Sequence, residues 1–276
     1  MESNSHGKNI LDRIVEARRE SIAHRKRVLP DVALKIAAQK VDPPRDFPAA
    51  LSRGGFNVIA ELKKASPSRG VIRADYAPAD LAPSLEAAGA AALSVLTEED
   101  FFSGSLADLK AARKAVQIPV LRKDFIIDPW QVWEARAAGA DSFLLITAIL
   151  ADEQLSELLE LGRTLKMEPL VEVHSREELG RAVGAGARVI GVNNRDLRNF
   201  DVRLETSLDL IESIPDGCIA VSESGLRTHA DLVRLRNAGF DAFLIGEQLM
   251  KEAEPAVPLR ELIGAVGADR MSHTGA

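Results

Sequence analysis

A repeated unit constrains the fold of this chain more than any other feature. Four segments each combine a helix-like end, a glycine and a short apolar run, and their glycines are Gly89, Gly139, Gly186 and Gly239. A glycine can take the left-handed conformation that ends a helix, and a short apolar run bounded by turns is typical of a buried strand. The glycines lie about 50 residues apart, which leaves room for two strand–helix units in each interval. The repeat therefore predicts alternating strands and helices around a parallel sheet.

The intervals contain further apolar runs, which we interpret as the remaining strands: Val58–Leu62, Pro119–Lys123, Pro169–Val173 and Ile219–Ser222. Their even spacing predicts an α/β fold closed into a (β/α)8 TIM barrel, and an open, doubly wound sheet is the alternative. The length of 276 residues fits such a barrel, for which about 250 residues are typical. An apolar content rich in Ala, Val, Ile and Leu, with 4% aromatics, suits parallel strands that are buried on both faces.

The two ends of the chain do not follow the repeat. We expect a helical extension over residues 1–47, the barrel over residues 48–267 and a flexible tail over residues 268–276. The extension has apolar residues at helical spacing and a basic stretch over residues 18–27. Such a helix could pack across one barrel end with its basic face in solvent, or it could close over an active site.

Composition argues against several classes of function. The formal net charge of -6 is unsuited to sequence-independent binding of nucleic acid, which needs a basic surface. Cys218 is the only cysteine, so an internal disulfide is impossible. The first residues lack the apolar stretch of a secretory signal, and no apolar run has the length of a membrane span. We therefore expect a cytoplasmic protein, and the sequence is compatible with a monomer.

Charged residues stand where the predicted strands end. Glu61 and Lys63 lie at the end of the first strand, Lys123 ends the third and Glu172 lies in the fifth. In barrels of this kind the functional groups occupy the carboxyl ends of the strands. A structural ion pair would explain any one of these residues, but four buried charges together predict a catalytic set. We interpret His174, just beyond Glu172, as a capping or surface residue.

Glycines at two later strand ends predict a site for an anion. Gly225 and Gly246 follow the seventh and eighth strands, where backbone N–H groups can approach a phosphate. A helix that begins near Glu247 would add its positive end, and the hydroxyl of Ser66 could donate to the same anion.

Several motifs resemble the indole-3-glycerol phosphate synthase family, and the resemblance extends from Ile10 to about Leu262. They are IAELKKASPS at 59–68, LRKDF at 121–125, LVEV at 170–173, GVNNRDL at 191–197 and SESG at 222–225. The segment LTEEDFFSGS at 96–105 is similar to the family's second-strand loop.

The resemblance implies a carboxy-lyase of tryptophan biosynthesis. Its reaction would be ring closure of 1-(2-carboxyphenylamino)-1-deoxyribulose 5-phosphate, with loss of carbon dioxide and water, to indole-3-glycerol phosphate. No metal or other cofactor is implied. Lys123 would be the general acid if burial and neighbours lower its pKa, and Glu61 with Lys63 would aim a charged pair at the reacting centre. Glu172 would handle protons during dehydration, with Lys63 as a partner.

The resemblance also implies residues that bind the substrate. Asn193 and Ser224 would hold the sugar hydroxyls, and the planar fork of Arg195 would hold the carboxylate. The remaining residues would line the benzene slot (Phe102, Phe125, Leu144, Leu197 and Leu226) and the phosphate site (Ser66, Gly225, Gly246 and the amide of Glu247). Core packing alone would also explain the apolar residues. Ala65 stands where some relatives have a basic residue, and we expect the carboxylate of Glu247 to point away from the phosphate.

Two other functions fit part of the pattern. A barrel such as phosphoribosylanthranilate isomerase would need one acid and one base, typically a cysteine and an aspartate. A catalytically silent barrel that binds a sugar phosphate would keep the glycine turns but would have no use for Lys123 and Glu172 inside its core.

Overall fold

Eight parallel strands form one closed barrel in the computed structural model, which describes residues 9–196 and 200–264. Each strand pairs with its neighbours in chain order, and the last strand pairs with the first, so the predicted (β/α)8 barrel is confirmed and the open sheet is excluded. The strands are β1 (Asn57–Leu62), β2 (Ala92–Leu96), β3 (Val120–Lys123), β4 (Ser142–Ile146), β5 (Leu170–Val173), β6 (Val189–Asn193), β7 (Ile219–Glu223) and β8 (Ala242–Ile245). A small antiparallel pair, Ala65–Ser66 with Gly70–Val71, follows β1.

Helices alternate with the strands and also precede the first one. Those before β1 are α1 (Ile10–Val28), α2 (Asp31–Ala38) and α3 (Phe47–Leu51). The others are α4 (Pro78–Ala87), α5 (Leu106–Ala115), α6 (Pro129–Ala137), α7 (Asp152–Thr164), α8 (Arg176–Gly184), α9 (Glu205–Leu210), α10 (His229–Ala238), α11 (Glu247–Met250) and α12 (Ala256–Leu262), with single 3-10 turns at Thr147–Ile149 and Ile211–Ser213. None of the helices within the described ranges could cross a membrane.

The four repeated glycines end helices as predicted. All have positive φ, between 82° and 119°. In each repeat the residue after the glycine donates its backbone N–H to the carbonyl five residues earlier, at 3.0 or 3.1 Å: Ala90 to Leu85, Ala140 to Ala135, Ala187 to Ala182 and Phe240 to Leu235. This bond is the Schellman closure of a helix end. The same local structure therefore returns the chain to the barrel before β2, β4, β6 and β8.

The hydrophobic core has two layers, and alternation along each strand divides its residues between them. In β1, Val58 and Ala60 belong to the larger cluster between the barrel and its helices, whereas Ile59 belongs to the cluster inside the barrel. Because side chains along a strand point to opposite faces in turn, Glu61 faces the interior with Ile59. Only 4% of its surface is exposed.

Helices α1 and α3 pack at opposite ends of the barrel. Phe47 and Leu51 of α3 join the interior cluster just before β1 begins. Helix α1 lies near the carboxyl ends of the strands, and its basic side chains pair with carboxylates along the β3–α6 segment: Arg18 with Asp124, Arg25 with Glu134 and Lys26 with Asp128. The predicted solvent-facing basic face is therefore wrong for Arg18, which is 2% exposed, whereas the side chain of Lys26 is 38% exposed.

The second interpretation of the extension, closure over the active site, stays a prediction. Among the described residues of α1, none lines the cavity at the carboxyl end of the barrel. Arg18 instead contacts Asp124, the residue next to Lys123. The division of the chain into extension, barrel and tail stays a prediction, and residues 268–276 lie outside the described ranges.

Candidate active site

A cavity of about 680 Å³ occupies the carboxyl end of the barrel, and all eight strands contribute to its lining. Fifteen of the sixteen residues predicted from the sequence line it: Glu61, Lys63, Ser66, Phe102, Lys123, Phe125, Leu144, Glu172, Asn193, Arg195, Ser224, Gly225, Leu226, Gly246 and Glu247. The remaining one, Leu197, lies outside the described residues.

Lys123 lies at the centre of the charged groups. Its Nζ is 2.8 Å from Glu223 Oε2 and 3.2 Å from Glu172 Oε2. These residues, together with Glu61, come from the alternate strands β1, β3, β5 and β7. Interior layers of such barrels are built from alternate strands, which explains why side chains distant in sequence meet here.

The pKa of Lys123 differs from the sequence-based expectation. Burial by itself lowers the pKa of this lysine, but the carboxylates of Glu223, Glu172 and Glu61 outweigh burial and raise it above the ordinary value. The expected lowering is therefore wrong. Lys123 is held as an ammonium ion, which is the protonated form that a general acid requires.

Glu61 and Lys63 form the predicted ion pair, with 2.6 Å between Lys63 Nζ and Glu61 Oε1. Burial acts to raise the pKa of Glu61, but the nearby charges of Lys63 and Lys123 lower it below the ordinary value. Glu61 is therefore a carboxylate at neutral pH, as the pairing with Lys63 predicts.

Glu223 belongs to the charged cluster although the sequence analysis gave it no role. It is 1% exposed. Burial, reinforced by the neighbouring charges of Glu172 and Glu61 and opposed by Lys123, raises its pKa to about 7. The rule that selected Glu172, an acid at the end of an apolar strand, applies equally to Glu223 and could have found it.

Two glycines make room for the buried carboxylates. A Cβ atom on Gly246 would lie 2.3 Å from Glu61 Oε1, and one on Gly191 would lie 2.1 Å from Glu223 Oε1. Any side chain at these positions would displace a carboxylate of the site. Gly246 therefore has a steric role in addition to its predicted place near a phosphate.

An apolar wall lies beside the charged cluster. The rings of Phe102 and Phe125 have their centroids 6.0 Å apart, and Leu144 and Leu226 complete the wall. Phe125 and Leu144 also belong to the core inside the barrel. Core packing and cavity lining are thus combined in the same side chains.

The backbone just after β7 is strained and tightly packed. Ser224 has a φ of 66° although it is not a glycine, and Gly225 follows with a φ of 81°. A Cβ atom on Gly225 would lie 2.6 Å from a methyl group of Val202. Backbone strain of this kind persists where the surrounding structure enforces it, and it is concentrated at functional sites.

The comparisons with known proteins agree with this geometry. The family model described as indole-3-glycerol phosphate synthase matches residues 11–262. A relative of that name from Chloroherpeton thalassium is 51% identical over 244 residues, which cover 87% of this chain and 94% of the relative. Another from Verminephrobacter eiseniae is 46% identical over 263 residues, which cover 92% of this chain and 98% of the relative.

The chain belongs to the indole-3-glycerol phosphate synthase family. The family predicted from the sequence motifs is thereby confirmed. A crystal structure of 3-hexulose-6-phosphate synthase has a TM-score of 0.61 at 16% identity, covering 76% of this chain and 99% of that one. A likeness at such low identity shows the barrel fold alone.

In this member of the indole-3-glycerol phosphate synthase family, the side chain of Glu247 does not lie where it was expected. Its Oε1 is 3.2 Å from Arg69 Nε, and its Oε2 is 3.3 Å from Arg195 Nη2. The two guanidinium groups attract the carboxylate toward the cavity rim, so the prediction that it points away is wrong. Arg69 also lines the cavity and was not predicted.

His174 likewise differs from the interpretation as a capping or surface residue. Its side chain is only 15% exposed, and its Nε2 lies 3.3 Å from Glu172 Oε1. Burial acts to raise the pKa of Glu172, but Lys123 and His174, with a hydrogen bond from Asn193, lower it well below the ordinary value. Glu172 is therefore ionised and has a cation on each side, Lys123 and His174.

Proposed function

We propose that this chain is an indole-3-glycerol phosphate synthase that converts 1-(2-carboxyphenylamino)-1-deoxyribulose 5-phosphate into indole-3-glycerol phosphate, carbon dioxide and water. The observation that carries the proposal is the ammonium ion of Lys123 between the buried carboxylates of Glu172 and Glu223, at the base of a cavity with an aromatic wall. The names of the relatives agree with it.

Ring closure forms a bond between the carboxyl-bearing carbon of the benzene ring and the ketone carbon of the sugar. Lys123 donates a proton to the ketone oxygen as this bond forms, so that a hydroxyl group develops instead of an alkoxide. The raised pKa of Lys123 keeps the proton available until the substrate oxygen receives charge. The carboxyl group then leaves as carbon dioxide, and its electron pair returns to the ring.

Dehydration removes the new hydroxyl group as water and a proton from the adjacent sugar carbon. Glu172 is suited to accept that proton because its lowered pKa keeps it ionised. Lys63 is its proposed partner in these proton transfers, and Glu61 holds Lys63 toward the cavity at 2.6 Å. All these bond changes need only proton transfer, so no cofactor is proposed.

The substrate lies with its benzene ring on the apolar wall of Phe102, Phe125, Leu144 and Leu226. Arg195 holds the carboxylate, while Asn193 and Ser224 hold the sugar hydroxyls. Leu197, which lies outside the described residues, stays a predicted contact of the benzene ring. The phosphate is held by Ser66, Gly225, Gly246 and the backbone amide of Glu247. All four residues line the cavity.

The proposed active form is a monomer that acts on a small sugar phosphate in the cytoplasm. Nucleic acid is not a proposed partner because the net charge is -6. The isomerase alternative has no support, since Cys218 does not line the cavity and its Sγ lies 3.5 Å from the carbonyl oxygen of Ala187.

Mixing the purified protein with the carboxyphenylamino sugar phosphate tests the proposal directly. Indole fluorescence should appear, and the amount of carbon dioxide released should equal the amount of indole-3-glycerol phosphate formed. A protein that binds the substrate but forms neither product would overturn the proposed activity and favour a binding barrel.

A further inference from the structure

We propose that His174 and Glu178 form a route by which a proton from solvent returns to Lys123 through Glu172 during each turnover. The inference rests on the proposed function, because it assigns the route to the reaction described above. His174 acts through Glu172 and does not line the cavity, so it is a positioning and relay residue and not a catalytic one.

Contacts link the four side chains in one line. His174 Nδ1 is 3.1 Å from Glu178 Oε2, and His174 Nε2 is 3.3 Å from Glu172 Oε1. The other carboxylate oxygen of Glu172 is 3.2 Å from Lys123 Nζ. Within the described part of the chain, neither Glu172 Oε1 nor His174 Nε2 has a hydrogen bond to any other group. The approach of His174 Nε2 to Glu172 Oε1, at 3.3 Å, is therefore the contact across which the proton passes.

The local sequence fixes His174 in this position. Ser175 caps helix α8 by accepting a hydrogen bond from the N–H of Glu178 at 3.2 Å. The Glu178 carboxylate in turn accepts the backbone N–H of His174 at 2.8 Å and contacts the imidazole of the same residue. The start of α8 thus holds the imidazole ring of His174 against Glu172, whereas the ring of a free surface histidine would not be held in place.

Exposure increases along the line from the reaction centre outward. The side chain of Glu172 is 2% exposed, that of His174 is 15% exposed and that of Glu178 is 19% exposed. The outer end of the line therefore meets water, while its inner end meets the cavity. A bound substrate fills the cavity, so a proton that entered by the cavity mouth would have to pass it.

The proton balance of the reaction requires such a supply. A carboxylate leaves as neutral carbon dioxide, while the phosphate keeps its charge, so one proton is taken up in each turnover. Lys123 gives its proton to the ketone oxygen and must recover one. The imidazolium of His174 passes its Nε2 proton to Glu172 Oε1, and Glu172 then protonates the Lys123 amine. The neutral imidazole that remains turns over, presents its bare nitrogen to Glu178 and takes up a proton from solvent there.

The charges around the imidazole suit this role. Burial acts to lower the pKa of His174, but Glu172 on β5 and Glu178 on α8 raise it to about 10. Lys123 on β3 and Glu223 on β7 lie beyond Glu172. The imidazole is thus protonated at neutral pH and has a carboxylate acceptor at each nitrogen.

Steady-state kinetics from about pH 6 to about pH 10 test the route with His174→Asn, His174→Ala and Glu178→Gln. Asparagine keeps a donor toward Glu172 but cannot exchange a proton. We expect the first two variants to lose roughly 10- to 100-fold in kcat with KM within about twofold, because proton return and not binding is impaired. The kcat of these two variants should fall as the pH rises over this range, whereas the kcat of the parent should stay constant. Added imidazole should restore much of kcat in His174→Ala, and Glu178→Gln should change kcat in the same direction by less.

Glu177→Gln is the matched control for Glu178→Gln, because Glu177 is the exposed neighbour of Glu178 on α8. The kcat of the Glu177→Gln variant should equal that of the parent. A parent-like kcat and pH profile in His174→Asn would overturn the route. So would a loss of kcat that imidazole does not restore and that leaves the pH profile unchanged, since a purely structural role gives that result. An inactive parent would instead refute the proposed function, so the two failures are distinguishable.

Discussion

Replacing Gly191 with alanine tests whether the empty space beside β6 is what admits the Glu223 carboxylate. The added Cβ atom would lie 2.1 Å from Glu223 Oε1 and 3.2 Å from Leu170 Cδ1. Because Cβ atoms essentially never come closer than 3.0 Å, the carboxylate must move by at least the difference between 3.0 and 2.1 Å, about 0.9 Å. Glu223 is 1% exposed and holds Lys123 at 2.8 Å, so the movement breaks or stretches that contact.

The loss of stability in Gly191→Ala follows from two effects of similar size. Overpacking a core typically costs about 1–3 kcal/mol, and a hydrogen bond to a charged group contributes about 1.5–3 kcal/mol. The reduced freedom of an unfolded chain with alanine offsets about 0.4–1 kcal/mol. We expect the free energy of unfolding to fall by about 2–4 kcal/mol and kcat to fall at least about tenfold.

Urea unfolding and the indole fluorescence assay measure these two quantities. Gly180→Ala is the control, because a Cβ atom there meets nothing within 4 Å and helix α8 should gain roughly 0.5–1 kcal/mol. Adding Glu223→Asp to Gly191→Ala shortens the carboxylate arm and should recover part of the stability but not the activity. Parent-like stability and kcat in Gly191→Ala would refute the steric argument.

Three further predictions concern the reaction, the N-terminal helix and a helix cap. Lys123→Ala should remove nearly all ring closure while the substrate Kd changes by less than about tenfold, because the ammonium acts mainly in the transition state. Turnover followed by fluorescence and equilibrium binding measure the two quantities, and unchanged turnover would exclude the mechanism. Burial acts to raise the pKa of Asp124, but the charges of Arg122 and Arg18 lower it well below the ordinary value. The ionised Asp124 therefore stabilises the folded protein above the unfolded pKa of about 3.9, and this contribution is lost as the pH falls through the folded pKa. Unfolding of Asp124→Asn between about pH 2 and about pH 6 should therefore show a flatter acid slope than the parent, and an equally steep slope would contradict the assignment. Thr228→Ala removes the capping box of α10 and should cost about 1 kcal/mol in urea unfolding with kcat unchanged; a loss of activity would show that α10 affects the site.

Local sequence was sufficient for the barrel because its signals are short-range. A glycine such as Gly89 ends a helix through bonds within six residues, and the apolar run after it forms a strand wherever it pairs. Alternation along β1 also placed Glu61 inside the barrel without knowledge of any other strand. Strand ends then selected Lys123 and Glu172 as neighbours of one cavity.

The partners of these charges were not determined by local sequence. Glu223 lies 100 residues after Lys123, and only closure of the barrel brings their charged groups to 2.8 Å. The direction of the pKa shift of Lys123 followed from that meeting, because burial alone lowers the pKa and the surrounding carboxylates reverse the effect. Arg18 was assigned to a solvent-facing surface for the same reason, since its carboxylate partner lies 106 residues away.

The sequence by itself thus determined which elements form, which faces are buried and which residues stand at the strand ends, because periodicity and helix termination act over a few residues. Tertiary structure alone decided which charges meet: Glu247 with its two arginines, and His174 with Glu172. Coulombic interactions depend on distance in space, and the angular position of each strand around the barrel sets that distance.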